Sequence, residues 1–127
     1  ENYLILPSNK LFAHAGFQNI KGPQYEYHDT AYYWDRTLWE LACATDKSLS
    51  PDDDMFPKRL KIFDEIFIGH TPLTRIGRSI PTQMVNVWNV DTGAAYKNPL
   101  SIIDVDSKEF WQSDPVHTLY PGENGRN

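Results

Sequence analysis

Two histidines in this chain leave apolar runs in the same way. His14 follows Leu11-Phe12-Ala13 and precedes Ala15-Gly16, whereas His70 follows Ile66-Phe67-Ile68-Gly69 and precedes Thr71-Pro72. Ligands of α/β folds gather outside the carboxyl ends of strands, and an imidazole there can bind a metal or contact a phosphate. Two histidines leaving adjacent strand ends would converge on one metal ion or one phosphate. The plainer reading is that each is a partly buried histidine satisfied by backbone groups. A cation is available as well: Arg36, in Trp34-Asp35-Arg36, has a planar fork suited to gripping a phosphate bidentately. Its ordinary alternative is a surface pair with Glu40, one helical turn further on. His28 and His117 lie in loop-like sequence and read as surface residues.

Asp91-Thr92-Gly93 brings a different chemistry, because aspartic proteases present one carboxylate of a proton-sharing dyad on D-T-G after an apolar strand. Little chain follows Gly93 to supply a flap and the rest of a barrel, so Asp91 is a minor alternative. Asp104 and Asp106 alternate along an expected strand, and Asp52-Asp53-Asp54 is a charge run; both patterns belong to solvated surface. The chain has no phosphate-cradling P-loop, no G-x-S-x-G elbow and no C-x-x-C. Those absences remove nucleoside triphosphatase, serine-hydrolase and thiol-redox readings.

The elements that must position these residues follow from periodicity. Tyr3 to Leu6 and Leu11 to His14, around Pro7-Ser8-Asn9-Lys10, predict a β-hairpin. The stretch from Gly22 to Asp29 predicts an exposed loop. A helix capped by Asp29 or Thr30 is expected to run to about Ala44, with Tyr33, Trp34, Leu38, Leu41 and Ala42 on its apolar stripe and Cys43 in the core. Ser48 to Pro57 predicts a solvated loop, and Phe63 to Gly69 a buried strand that ends at His70. Val85 to Val90 and Leu100 to Val105 are two more expected strands, with Phe110 and Trp111 extending a last hairpin. The tail from Asp114 reads as a weakly ordered terminus.

With 12 Lys+Arg, 17 Asp+Glu and a net charge of −5, the 127 residues lack the basic surface that nucleic acid or an anionic membrane would need. The single cysteine, Cys43, excludes an internal disulfide and a thiolate zinc cluster, and makes a reducing, cytoplasmic setting the expectation. No apolar run reaches the roughly 20 residues of a membrane span. Because the chain opens directly on an expected strand, it is expected to be a fragment.

Taken in order, Phe12-Ala13-His14-Ala15-Gly16, Trp34-Asp35-Arg36, Ile66-Phe67-Ile68-Gly69-His70-Thr71-Pro72 and Asn89-Val90-Asp91-Thr92-Gly93-Ala94 resemble a known family. The chain looks like the C-terminal half of a calcineurin-like metallophosphoesterase, of the bacterial serine/threonine phosphatase and diadenosine-tetraphosphatase type. The resemblance covers roughly Leu4 to Asp106. It implies that His14 and His70 ligate the same one of two metal ions, that Arg36 contacts substrate phosphate, and that Asp91 is structural. It also implies two divalent ions, manganese first with iron or zinc as alternatives, and a phosphorylated protein or small phosphoester as substrate.

The family's G-D-x-H, G-D-x-x-D-R-G and G-N-H motifs, which supply the other ligands and the general acid, do not occur here. The missing N-terminal half would be the chain's partner, no residue of this half is assigned a catalytic role, and the 127 residues alone are expected to be catalytically silent. The expected fold class is α/β (α+β) with a mixed sheet, the C-terminal part of a four-layer α-β-β-α sandwich occupying residues 1–113 and followed by a tail over 114–127. Such a half-sandwich would expose an open sheet edge inviting a homodimer. The non-enzymatic alternative is an accessory or strand-pairing domain whose histidines are structural.

Overall fold

The structure is a computed structural model that describes residues 1–126. It is mixed α/β, with a five-stranded mixed sheet and a separate two-stranded sheet. The chain divides into two compact units, one formed by Glu1–Thr71 with Gln83–Asn89, the other by Pro72–Thr82 with the chain from Val90 onward.

The first unit is organised by its strands. The expected hairpin is present as β1 (Tyr3–Leu6) and β2 (Lys10–Ala13), antiparallel with Tyr3 opposite Ala13 and Leu6 opposite Lys10. Asn9, at φ 59°, makes the turn, and its amide donates to Leu6 O. β3 (Glu65–Ile68) runs parallel to β2, with Leu11 beside Ile66 and Phe12 beside Phe67. β5 (Val87–Asn89) continues the parallel arrangement on the other side of β3. The short β4 (Thr82–Met84), which alternation in the sequence does not announce, closes the order β1-β2-β3-β5-β4.

Parallel strands need both faces covered, and β3 accordingly buries Ile66, Phe67 and Ile68. Phe12 and Phe67 stack with ring centroids 5.0 Å apart. Leu11, Phe17, Leu38, Trp39, Leu60 and Val87 fill the remainder of this core.

The single helix expected over 30–44 is two. α1 (Thr30–Trp34) stops at Asp35, whose backbone is extended, and α2 (Thr37–Ala44) starts two residues later. The cause is the Asp35 side chain. Its carboxylate accepts hydrogen bonds from Leu38 N at 3.0 Å, Thr37 N at 3.1 Å and Thr37 Oγ1 at 2.6 Å. A short acidic side chain that satisfies the first N–H groups of the next helix competes with continuing the previous one. The break turns Trp34 outward, to 68% exposure, instead of into the expected apolar stripe; Leu38 and Ala42 stay buried. Cys43 is half-buried, and burial pushes its thiol up. α3 (Lys58–Lys61) follows the acidic loop, and the prolyl residue before it, Pro57, caps it in extended geometry.

In the second unit β6 (Pro99–Ile103) and β7 (Phe110–Pro115) form an antiparallel ribbon, with Ile102 opposite Trp111. β6 ends two residues before the expected Val105, because the Asp104 carboxylate turns back to accept from Asp106 N and Ser107 N, both at 2.9 Å. These amides hold the Asp104 carboxyl below its usual range, that of Ser107 foremost. Of the expected weakly ordered tail over 114–127, the first six residues are built into structure, since β7 runs through Asp114 and Pro115 and is followed by α4 (Val116–Leu119); residues 120–126 carry no strand or helix, and Asn127 lies outside the described residues. No helix among the described residues is long and apolar enough to cross a membrane.

Candidate metal or phosphate site at the parallel strand ends

β2 and β3 deliver His14 and His70 to the same end of the sheet because they are parallel neighbours in register. The two strand ends are tied by backbone: Gly69 N donates to His14 O at 2.8 Å. The two imidazole centroids lie 5.2 Å apart, with ring planes inclined at 57°. His14 is exposed and His70 half-buried, with its Nε2 shielded from solvent.

His70 sits at the centre of a tight three-residue turn. Its φ is +67°, and Thr71 N donates across it to Gly69 O at 2.8 Å. An i to i+2 hydrogen bond around a residue of positive φ is the strained form of the γ-turn, costing about 1–3 kcal/mol for a non-glycine residue. The turn is closed by backbone groups, so the imidazole is not consumed in making it. Two contacts hold the strained residue. The fully buried Asn89, at the end of β5, donates its Nδ2 to Thr71 O at 2.9 Å, and the Trp34 ring meets the His70 ring edge to face at 5.4 Å.

The His14 side is fixed through Ala15 and Gly16. Ala15 N donates to Tyr32 O at 2.8 Å, which ties the loop after β2 to α1. Gly16 has φ +152°, and a Cβ there would stand 2.7 Å from Asp35 Oδ2 and 3.1 Å from Leu38 Cβ. Glycine is therefore needed for Asp35 and the start of α2 to approach the loop. Behind Asp35, the Arg59 guanidinium donates to Thr37 Oγ1 at 2.8 Å and to Phe17 O at 3.1 Å. Burial draws the Arg59 pKa down, opposed by the nearby charges of Asp35 and Glu26.

Arg36 is exposed, at the first turn of α2, and its carbonyl accepts from Glu40 N. The alternative of an ion pair with Glu40 is not formed. The side chain is thus available to an anion, but its head is not clamped toward the histidines.

Two imidazoles bound to one ion at about 2.0–2.1 Å, with an angle near tetrahedral or octahedral at the metal, would place their ring centroids roughly 4.6–5.3 Å apart. The observed spacing falls within that range. By ring spacing, though not by any donor geometry, His14 and His70 match two ligands of one ion. No group of three His, Cys, Asp or Glu positioned to hold a metal occurs among the described residues.

The other sequence candidates are engaged differently. Asp91 Oδ1 accepts from Gly93 N at 2.9 Å, and Gly93 takes φ +90°; Thr92 Oγ1 contacts Pro99 O at 2.8 Å and Ser101 Oγ at 2.6 Å. The D-T-G carboxylate is engaged in shaping its own turn. His28, expected as an ordinary surface residue, is exposed but lines a cavity of about 260 Å³ with Gln18, Glu26, Tyr27, Trp34 and Asp35.

Comparisons of the chain with protein-family models, with curated proteins and with solved structures return no match.

Proposed function

We propose that the chain is part of a metal-dependent phosphoester hydrolase of the serine/threonine phosphatase kind. In this reading it forms the C-terminal half of a four-layer α-β-β-α sandwich, works in the cytoplasm, and supplies half of a site for two divalent ions. The observation that carries it is the placement of two imidazoles 5.2 Å apart on adjacent parallel strand ends, one of them in a strained turn. His14 and His70 would hold one ion, manganese by preference and iron or zinc otherwise, with the remaining ligands supplied by a further polypeptide segment. When bound, the ions supply Lewis acidity and a nucleophile at neutral pH.

The chain's own residues do the rest. Asn89 holds the turn through Thr71 O and Trp34 flanks the His70 ring, Gly16 and Asp35 set the loop carrying His14, and Arg36 neutralises charge on phosphate oxygens from the start of α2. Because this half carries only two of the ligands, the 127 residues by themselves are expected to show no robust phosphatase rate.

The test is His14→Ala, His70→Ala and Arg36→Ala in the longest polypeptide that contains this chain. Loss of metal-dependent phosphatase activity with an unchanged thermal midpoint supports the reading. Loss of stability with no activity to lose supports structural histidines.

A second reading has its own observation. β1 is an edge strand that exposes Leu4 and Ile5, at 48% and 40%, so a strand-pairing accessory domain that forms a homodimer is the alternative.

A further inference from the structure

The cavity beside Trp34 borders the histidine pair without belonging to it, and its lining has a chemical character of its own. Two aromatic rings stand in solvent at its rim, Trp34 at 68% and Tyr27 at 91% exposure. Carboxylates line the same space. Asp35 is 3% exposed and its oxygens are engaged by Thr37, Leu38 and Gln18. Glu26 is half-buried and uses Oε1 alone, accepting from Gln18 N and from Asn19 N at 2.7 Å. Among the described residues nothing donates to Glu26 Oε2. Asp29 precedes α1 nearby in the chain; Arg59, whose charge acts on Asp35 and Glu26, already donates to Phe17 O and Thr37 Oγ1, and Arg36 follows Asp35 in the chain with its side chain exposed.

Acidic walls under exposed aromatic faces are complementary to a cation. A guanidinium or ammonium gains from the ring quadrupole, from the carboxylate field and from a charged hydrogen bond to the open acceptor. An anion would be repelled there. A volume of about 260 Å³ suits a single side chain and not a folded partner.

We propose that this cavity is a subsite for a cationic side chain, arginine foremost, of a polypeptide substrate. Glu26 receives the charge and Trp34 and Tyr27 flank it. Trp34 also touches the His70 ring, so an occupant would lie next to the strand-end histidines. The inference rests on the phosphatase reading only for the claim that the polypeptide is phosphorylated, in which case the site selects basic residues close to the phosphorylated one. Recognition of the cation requires neither metal nor phosphate.

The experiment is therefore run without either. The 127-residue chain is titrated with a blocked Gly-Arg-Gly tripeptide and with its isosteric, uncharged citrulline analogue, and the Trp34 indole N–H resonance is followed by NMR. A dissociation constant on the order of 1 mM is expected for a single exposed subsite. The citrulline analogue should bind at least about tenfold more weakly, and binding should weaken as salt is raised.

Glu26→Gln keeps a carbonyl oxygen for Gln18 N and Asn19 N while removing the charge, and should weaken arginine binding about fivefold or more. Trp34→Leu, at an exposed position, should do the same, followed through the Tyr27 ring resonances once the variant's thermal midpoint shows that it is folded. Equal binding of the two tripeptides, or no effect of either variant, would overturn the proposal. A failure of metal binding at His14 and His70 would leave it standing and would sink the phosphatase reading instead.

Discussion

Two turns in this protein follow apolar strands and look equivalent as sequence, yet they are built in opposite ways. At Gly69-His70-Thr71 the positive φ falls on the functional-looking residue, and the support comes from Asn89 and Trp34 outside the turn. At Asp91-Thr92-Gly93 the positive φ falls on glycine, and the functional-looking carboxylate closes the turn itself. A side chain that makes its own turn has at least one acceptor committed to local structure. One whose turn is closed by backbone can be aimed at something else. The contrast separates a turn supported from outside, at His70, from one closed by its own carboxylate, at Asp91.

The largest effect is expected at Asp35, which fixes the loop on the His14 side, and the next at Asn89, which supports the His70 turn from outside. Asp35→Ala strips the acceptor from Leu38 N and from Thr37, buried beside a charged guanidinium, and is expected to destabilise the first unit by about 3 kcal/mol in urea unfolding. It should also loosen the loop carrying His14. Asn89→Ala should follow at about 2 kcal/mol, since it leaves Thr71 O without its buried donor. Faster amide exchange at Gly69 to Thr71 would report the loss of hold on His70.

Neither Asp35 nor Asn89 stood out as a site residue in the sequence, although the motifs carrying the fold did. The strands were legible because β2, β3 and β5 are short apolar runs ended by turn residues, and the histidines were legible because they sit at those ends. The helix break was not, because Tyr33, Trp34, Leu38 and Ala42 satisfy helical spacing whether or not Asp35 interrupts it. Its only signal was an acid two and three residues before potential N-terminal amides, a capping pattern concealed inside a longer apolar stripe. Asn89 ends a buried strand as a polar residue, and such a residue needs a partner. That partner, Thr71 O, lies 18 positions away and is set by tertiary structure alone. The second unit misled differently: Asp104 read as a strand residue because alternation carries through it, whereas its carboxylate starts the hairpin turn.

A finer test sharpens the comparison without breaking the fold. His70→Gly and His70→Ala both remove the imidazole, but only glycine adopts a positive φ without strain, so the glycine variant should be more stable by about 1 kcal/mol. Equal stabilities would mean the turn relaxes once the ring is gone. The smallest effect is expected at the contrasting turn. Asp91→Ala should cost about 0.5–1.5 kcal/mol, for one hydrogen bond to Gly93 N, and should leave metal binding unchanged.

The central claim is that His14 and His70 serve one ion together, and zinc titration followed through the ring nitrogens of the four histidines tests it most directly. The account predicts that His14 and His70 shift together with one apparent affinity, that His28 and His117 stay in place, and that His14→Ala abolishes the zinc-dependent shift at His70. Independent titration of the two rings, or an undiminished shift at His70 in the His14→Ala variant, would contradict it.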